Sequence, residues 1–79
     1  MNLLYFDPSD AARVIKSRIA RNGRHRVFVR RSGVVSCYPT WDERSARCPD
    51  CDLVGTYDQR ASVIDIEGDL QERLREIRS

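Results

Sequence analysis

Residues 24–38 read Arg24-His25-Arg26-Val27-Phe28-Val29-Arg30-Arg31-Ser32-Gly33-Val34-Val35-Ser36-Cys37-Tyr38. The first half alternates with period two. His25, Val27 and Val29 fall on one side of an extended chain, and Arg24, Arg26, Phe28 and Arg30 on the other. Ser32-Gly33 interrupts the run and residues 34–38 return, which predicts a β-hairpin. Two registers are open. A three-residue loop, Arg31-Ser32-Gly33 with Gly33 left-handed, places Val27, Val29, Val35 and Cys37 on one face. A two-residue turn would instead set Val34, Ser36 and Tyr38 beside Val27 and Val29. The first register is the one expected, because it groups the smaller apolar residues inward.

Upstream of the hairpin, Asp7-Pro8-Ser9-Asp10 reads as a helix start. Asp7 can cap free backbone N–H groups, Pro8 suits the first helical position, and Asp10 complements the positive end of the helix. The helix is expected to run to about Arg21, with Gly23 as its left-handed exit. Ala11, Ala12, Ile15 and Ile19 share its buried stripe, while Arg13 and Lys16 point away. Before it, residues 2–6 are apolar and partly aromatic and read as a short buried strand. Downstream, residues 39–52 read as a loop anchored on the core by Trp41. Residues 53–57 read as a short strand, and residues 61–66, rich in β-branched side chains, as a better one. Asp69-Leu70-Gln71-Glu72 resembles a capping box and opens a closing helix to about Arg78, with the stripe Leu70, Leu74, Ile77 and an Asp69–Arg73 pair on its wet face. The expected fold is α+β: one compact domain over residues 1–79, a small, mostly antiparallel sheet and two helices in the order β-α-β-β-loop-β-β-α.

At 79 residues the chain is near the lower limit for a self-sufficient hydrophobic core. Hydrophobic residues make up 41% and charged residues 33%, too apolar for a disordered chain and too charged for a membrane one. The longest apolar run is Leu3-Leu4-Tyr5-Phe6, and no basic segment with an apolar stretch opens the chain. A cytoplasmic protein without a membrane partner is expected.

The net charge of +2 conceals a polarity. Residues 1–41 hold eight Lys/Arg against two Asp, and residues 42–79 hold six Arg against ten Asp/Glu. Arg is thirteen of the fourteen basic residues, and its planar donor fork fits phosphate and carboxylate. Arg13, Lys16, Arg24, Arg26, Arg30 and Arg31, with Phe28 among them, therefore form the candidate partner- or nucleic-acid-binding set. Guanidinium groups hold phosphates and an aromatic ring stacks on a base. The same set suits an acidic protein surface, and its structural alternative is a solubilising coat.

Cys48-Pro49-Asp50-Cys51 is the one short motif with a mechanism attached. Two thiolates at this spacing can share a tetrahedral zinc, and Cys37 and His25 would complete a Cys₃His site joining hairpin to loop. The alternatives are ordinary thiols, with Cys37 in the core, or a Cys48–Cys51 disulfide. Thiol-redox catalysis is disfavoured, since Asp50 and Asp52 flank Cys51 and oppose a thiolate. The single His, and the lack of a Gly-rich phosphate loop or a Gly-x-Ser-x-Gly elbow, leave no catalytic constellation.

A non-enzymatic interaction or inhibitor protein is therefore expected, docking through a charged surface on a nucleic-acid-binding or nucleoprotein complex. The alternative is a zinc-stapled nucleic-acid-binding module or small transcriptional regulator. In size and character the chain is similar to the compact proteins of phages and mobile elements, among which small inhibitors of CRISPR effector complexes are one class. That likeness is of type and rests on no shared residues.

Overall fold

The computed structural model describes residues 7–46 and 50–78. Within them the order is α1 (Pro8–Asn22), β1 (His25–Arg30), β2 (Val35–Pro39), a 3₁₀ turn (Glu43–Ala46), β3 (Cys51–Tyr57) and α2 (Val63–Arg78). The strands form an antiparallel sheet in the order β2-β1-β3, with the two helices on one face. This is the α+β fold expected. The strand expected over residues 2–6 lies outside the described residues.

The α1 signals act as their chemistry dictates. The Asp7 carboxylate accepts from the Ser9 N–H at 2.8 Å, and Pro8 opens the helix. At the far end Gly23 takes φ +81°, and its N–H donates to the Ile19 carbonyl at 2.8 Å. Ala11, Ala12, Ile15 and Ile19 are fully buried.

The hairpin adopts the three-residue loop. Val27 lies opposite Cys37 and Val29 opposite Val35. The Arg30 N–H donates to the Val34 carbonyl at 3.0 Å, and the Gly33 N–H to the Arg30 carbonyl at 2.8 Å. Gly33 sits at φ +90°, where a Cβ would clash with the backbone. β3 pairs with the other edge of β1, running from Cys51 opposite Arg30 to Tyr57 opposite His25. A bulge at Val54 separates the Val27–Gly55 and Phe28–Leu53 pairs.

The inward residues Val27, Val29, Val35 and Cys37 close against Ile15 and Ile19 of α1 and Ile66, Leu70 and Leu74 of α2. Each fully buried Ile or Leu contributes on the order of 1.5–3 kcal/mol relative to exposure.

Four expectations for residues 41–78 are corrected. Residues 61–66 do not form a strand. α2 begins at Val63, because Ile66, Leu70 and Leu74 lie on one stripe only at helical spacing, and that stripe is the buried one. Leaving Ile64 82% exposed is the cost of that choice. The capping box is not at Asp69, which falls in mid-helix. It is Ser62 and Asp65: the Asp65 N–H donates to Ser62 Oγ at 3.1 Å and the Ser62 N–H to Asp65 Oδ2 at 3.3 Å. Nor does Asp69 pair with Arg73. Asp69 accepts from the Tyr57 hydroxyl at 2.6 Å, and Arg73 faces Glu76 at 3.7 Å. Trp41, expected as a core anchor, is 72% exposed.

The helical course through residues 63–78 carries a stability test. Gly68 is exposed within α2, and a Cβ there meets nothing within 4 Å. Gly68→Ala should raise unfolding free energy by about 0.5–1 kcal/mol, and Ser62→Ala should lower it by about 1 kcal/mol, in urea titrations followed by circular dichroism. Loss of stability in Gly68→Ala would mean that a turn, not a helix, crosses this position.

Candidate functional site

Alternation along β1 decides which residues leave the core. His25, Val27 and Val29 point to the helices, so Arg26, Phe28 and Arg30 point to the other face, with Arg24 just before the strand. Across the ladder, the outward partners of Arg26 are Tyr38 and Thr56. Those of Phe28 are Ser36 and Leu53, and Cys51 lies beside Arg30. None of these outward strand residues carries a carboxylate.

This face has a closed side and an open side. Toward β2, Phe28, Ser36 and Tyr38 are buried. The Phe28 and Tyr38 rings meet edge-on with centroids 6.2 Å apart, and the Arg44 guanidinium lies 5.3 Å above the Tyr38 ring. Arg44 in turn holds the Asp42 carboxylate at 2.6 Å, and that hydrogen bond lowers the Asp42 pKa to about 2. Arg26 is half-buried, and its Nη1 donates to Ser45 Oγ at 2.6 Å, tying the 3₁₀ turn to the sheet. Toward β3, Leu53 and Thr56 are exposed, as are Arg24 and Arg30.

The candidate cationic set is therefore divided. Arg13 and Lys16 belong to α1, on the helical side of the sheet. Arg13 is paired with the Asp10 carboxylate. Lys16 Nζ donates to the Gln59 carbonyl at 2.8 Å and to the Ala61 carbonyl at 2.5 Å, so it fastens the turn before α2. Phe28 is buried and offers no free stacking surface. Arg24, Arg26 and Arg30 do share the sheet face as expected, and none is in an ion pair among the described residues. At the hairpin tip Arg30 and Arg31 line a hollow together with Asp50 and Asp52, with no ion pair between them among the described residues. At the other end of the row, a cleft is lined by Gly23, Arg24, Thr40, Asp58, Gln59 and Arg60. Arg60 was not among the candidates. It is brought to Arg24 by the pairing of Tyr57 with His25, a juxtaposition that no local motif signals.

The candidate zinc set does not converge. His25 and Cys37 do share the inward face as diagonal neighbours, offset by two residues in register. His25 is buried, with Nδ1 2.8 Å from the Gly23 carbonyl. Cys51, however, lies opposite Arg30, five residues along β1 from His25, roughly 17 Å away at strand rise, and on the other face. It is also disulfide-bonded, which removes it as a thiolate donor. Cys48 lies outside the described residues. Among the described residues no group of three His, Cys, Asp or Glu is placed to hold a metal ion, and no helix is long and apolar enough to cross a membrane.

Two further titratable groups are held inert by their surroundings. Burial pushes the Cys37 thiol up to about 11, against a smaller opposing effect of Arg18. Burial, then the hydrogen bond to Asp69, raises Tyr57. Comparison with family models, with curated proteins and with solved structures gave no match.

The raised Cys37 pKa makes the folded thiol a poor nucleophile. Its contribution to stability is complete below about pH 9 and falls away as pH climbs toward 11. Iodoacetamide at pH 8 should alkylate the Cys37 peptide at least ~100-fold more slowly in the native chain than in denaturant, read by mass spectrometry. Equal rates would place Cys37 at the surface.

Proposed function

We propose that this chain is a non-enzymatic binding protein that docks on nucleic acid, free or displayed by a nucleoprotein complex, through the sheet face that the helices leave open. The observation that carries the reading is the row Arg24, Arg26, Arg30 on a face whose outward strand residues include no carboxylate. Arg26 and Arg30 lie on the central strand, with spacing fixed by the ladder on both sides, and Arg24 directly precedes it, its carbonyl accepting from the Thr40 N–H at 2.9 Å. Arg24 and Arg30 are exposed and outside the ion pairs of the described residues, which leaves their donor forks available to phosphate oxygens. Leu53 and Thr56 beside them offer apolar and hydroxyl contacts to sugar and base.

Such contacts position a protein on a phosphate backbone and read little sequence. A chain of this size with no catalytic constellation acts by occupancy: it covers phosphates that another ligand needs. That is the behaviour of an inhibitor or regulator of a nucleic-acid machine.

The test is fluorescence anisotropy with a labelled single-stranded oligonucleotide over a salt series. Affinity should fall log-linearly with salt. Arg24→Ala with Arg30→Ala should weaken binding and reduce the magnitude of the slope by about 1–2, as two lost phosphate contacts require. An unchanged slope, or no binding by the parent chain at any salt, would contradict the reading.

A further inference from the structure

The cleft at the Arg24 end of the row is a site of its own. Its volume is about 520 Å³, and it sits where the exit of α1, the start of β1, the residue after β2 and the turn after β3 meet. Two guanidinium-bearing residues, Arg24 and Arg60, line it from different segments, with Thr40 and Gln59 between them. Neither Arg is in an ion pair among the described residues. Asp58 is the one carboxylate in the lining among the described residues, and its Oδ1 accepts from the backbone N–H of Arg60 at 2.9 Å. The turn that carries Arg60 is held further by the Ala61 N–H on the Asp58 carbonyl at 3.1 Å. The Lys16 ammonium on the Gln59 and Ala61 carbonyls adds a third positive charge beside the cleft wall. The backbone of the turn is thus held in place, and the lining is net cationic. Trp41, the residue after Thr40, is 72% exposed.

We infer that this cleft binds the terminal phosphate monoester of a nucleic-acid strand, an inference that rests on the proposed docking of nucleic acid along the Arg row. Three features favour a strand end over an internal phosphate. The cleft lies at the end of the row, so a strand tracking Arg30, Arg26 and Arg24 arrives at it. Two guanidinium groups match a dianionic monoester, whereas an internal diester carries one charge. Trp41, exposed and the residue directly after the lining residue Thr40, is an aromatic of the type that stacks on a terminal base, which has one open π-face.

The experiment compares four ligands on the full chain: one oligonucleotide with a 5′-phosphate, with a 5′-hydroxyl, and with a 3′-phosphate, and the corresponding nucleoside monophosphate. One end-phosphorylated form should bind about tenfold more tightly than the hydroxyl-ended strand, and Arg60→Ala should remove that preference, weakening the phosphorylated strand far more than the hydroxyl-ended one. The monophosphate alone should bind far more weakly than the strand. Thermal melts of Arg60→Ala matching the parent establish that the fold is retained, and Arg60→Lys should restore part of the preference through charge alone.

Equal binding of all three strands, reduced by the Arg24→Ala, Arg30→Ala pair, overturns the end-binding site and leaves the face intact. Monophosphate binding as tight as the strand makes the cleft a nucleotide site and overturns the strand-end assignment. Failure of every strand to bind overturns the reading beneath both.

Discussion

The outward face of the sheet follows from the packing of one strand. β1 is central, paired on both edges, and its Val27 and Val29 are fully enclosed by the helices. A strand in that position cannot slip by one residue without turning Arg26, Phe28 and Arg30 into the core. Burial of an unpaired guanidinium costs several kcal/mol, so the register is enforced by what must stay out as much as by what must go in. The left-handed Gly33 sets the same register from the loop end. The cationic row is the obligatory reverse side of the hydrophobic one.

The two helices then divide the remaining charge. α1 and α2 cover a single face, which sends Arg13 and Lys16 to the helical side and leaves the other face to the hairpin arginines. Lys16 illustrates how a residue counted as a surface cation becomes structural: its ammonium serves two carbonyls of the turn before α2. Arg26 is similar, since its bond to Ser45 holds the 3₁₀ turn against the sheet. On the sheet face Arg24 and Arg30 stay exposed, and Arg60, from a distant part of the chain, lines the same cleft as Arg24.

The sequence made the first half legible because its signals are local. The Asp7-Pro8 start, the Gly23 exit and the alternation from Arg24 to Arg31 each act over a few residues, and each reappears in the structure. The second half was harder for reasons of competition. Val63, Ile64 and Ile66 favour a strand by branching, but Ile66, Leu70 and Leu74 together bury only as a helix, and burial outweighs propensity. Asp69 looked like a cap because its spacing to Glu72 was right; the true cap, Ser62 with Asp65, has the same spacing with Asp in place of Glu. The zinc grouping failed on topology. Antiparallel pairing puts the Cys51 end of β3 beside Arg30 and its Tyr57 end beside His25, so the cysteine and the histidine lie at opposite ends of the sheet. That same pairing creates the Arg24–Arg60 cleft, which spacing along the chain could not reveal.

The central claim is that nucleic acid meets this protein on the sheet face and at the Arg24 end of it. Amide and side-chain chemical shifts mapped by NMR during titration with a single-stranded oligonucleotide test this directly. The account predicts that perturbations concentrate at Arg24, Arg26, Arg30, Leu53, Thr56 and Arg60, with Arg13 and the exposed side of α2 silent. Perturbations confined to the helical layer, or none at saturating ligand, would contradict it.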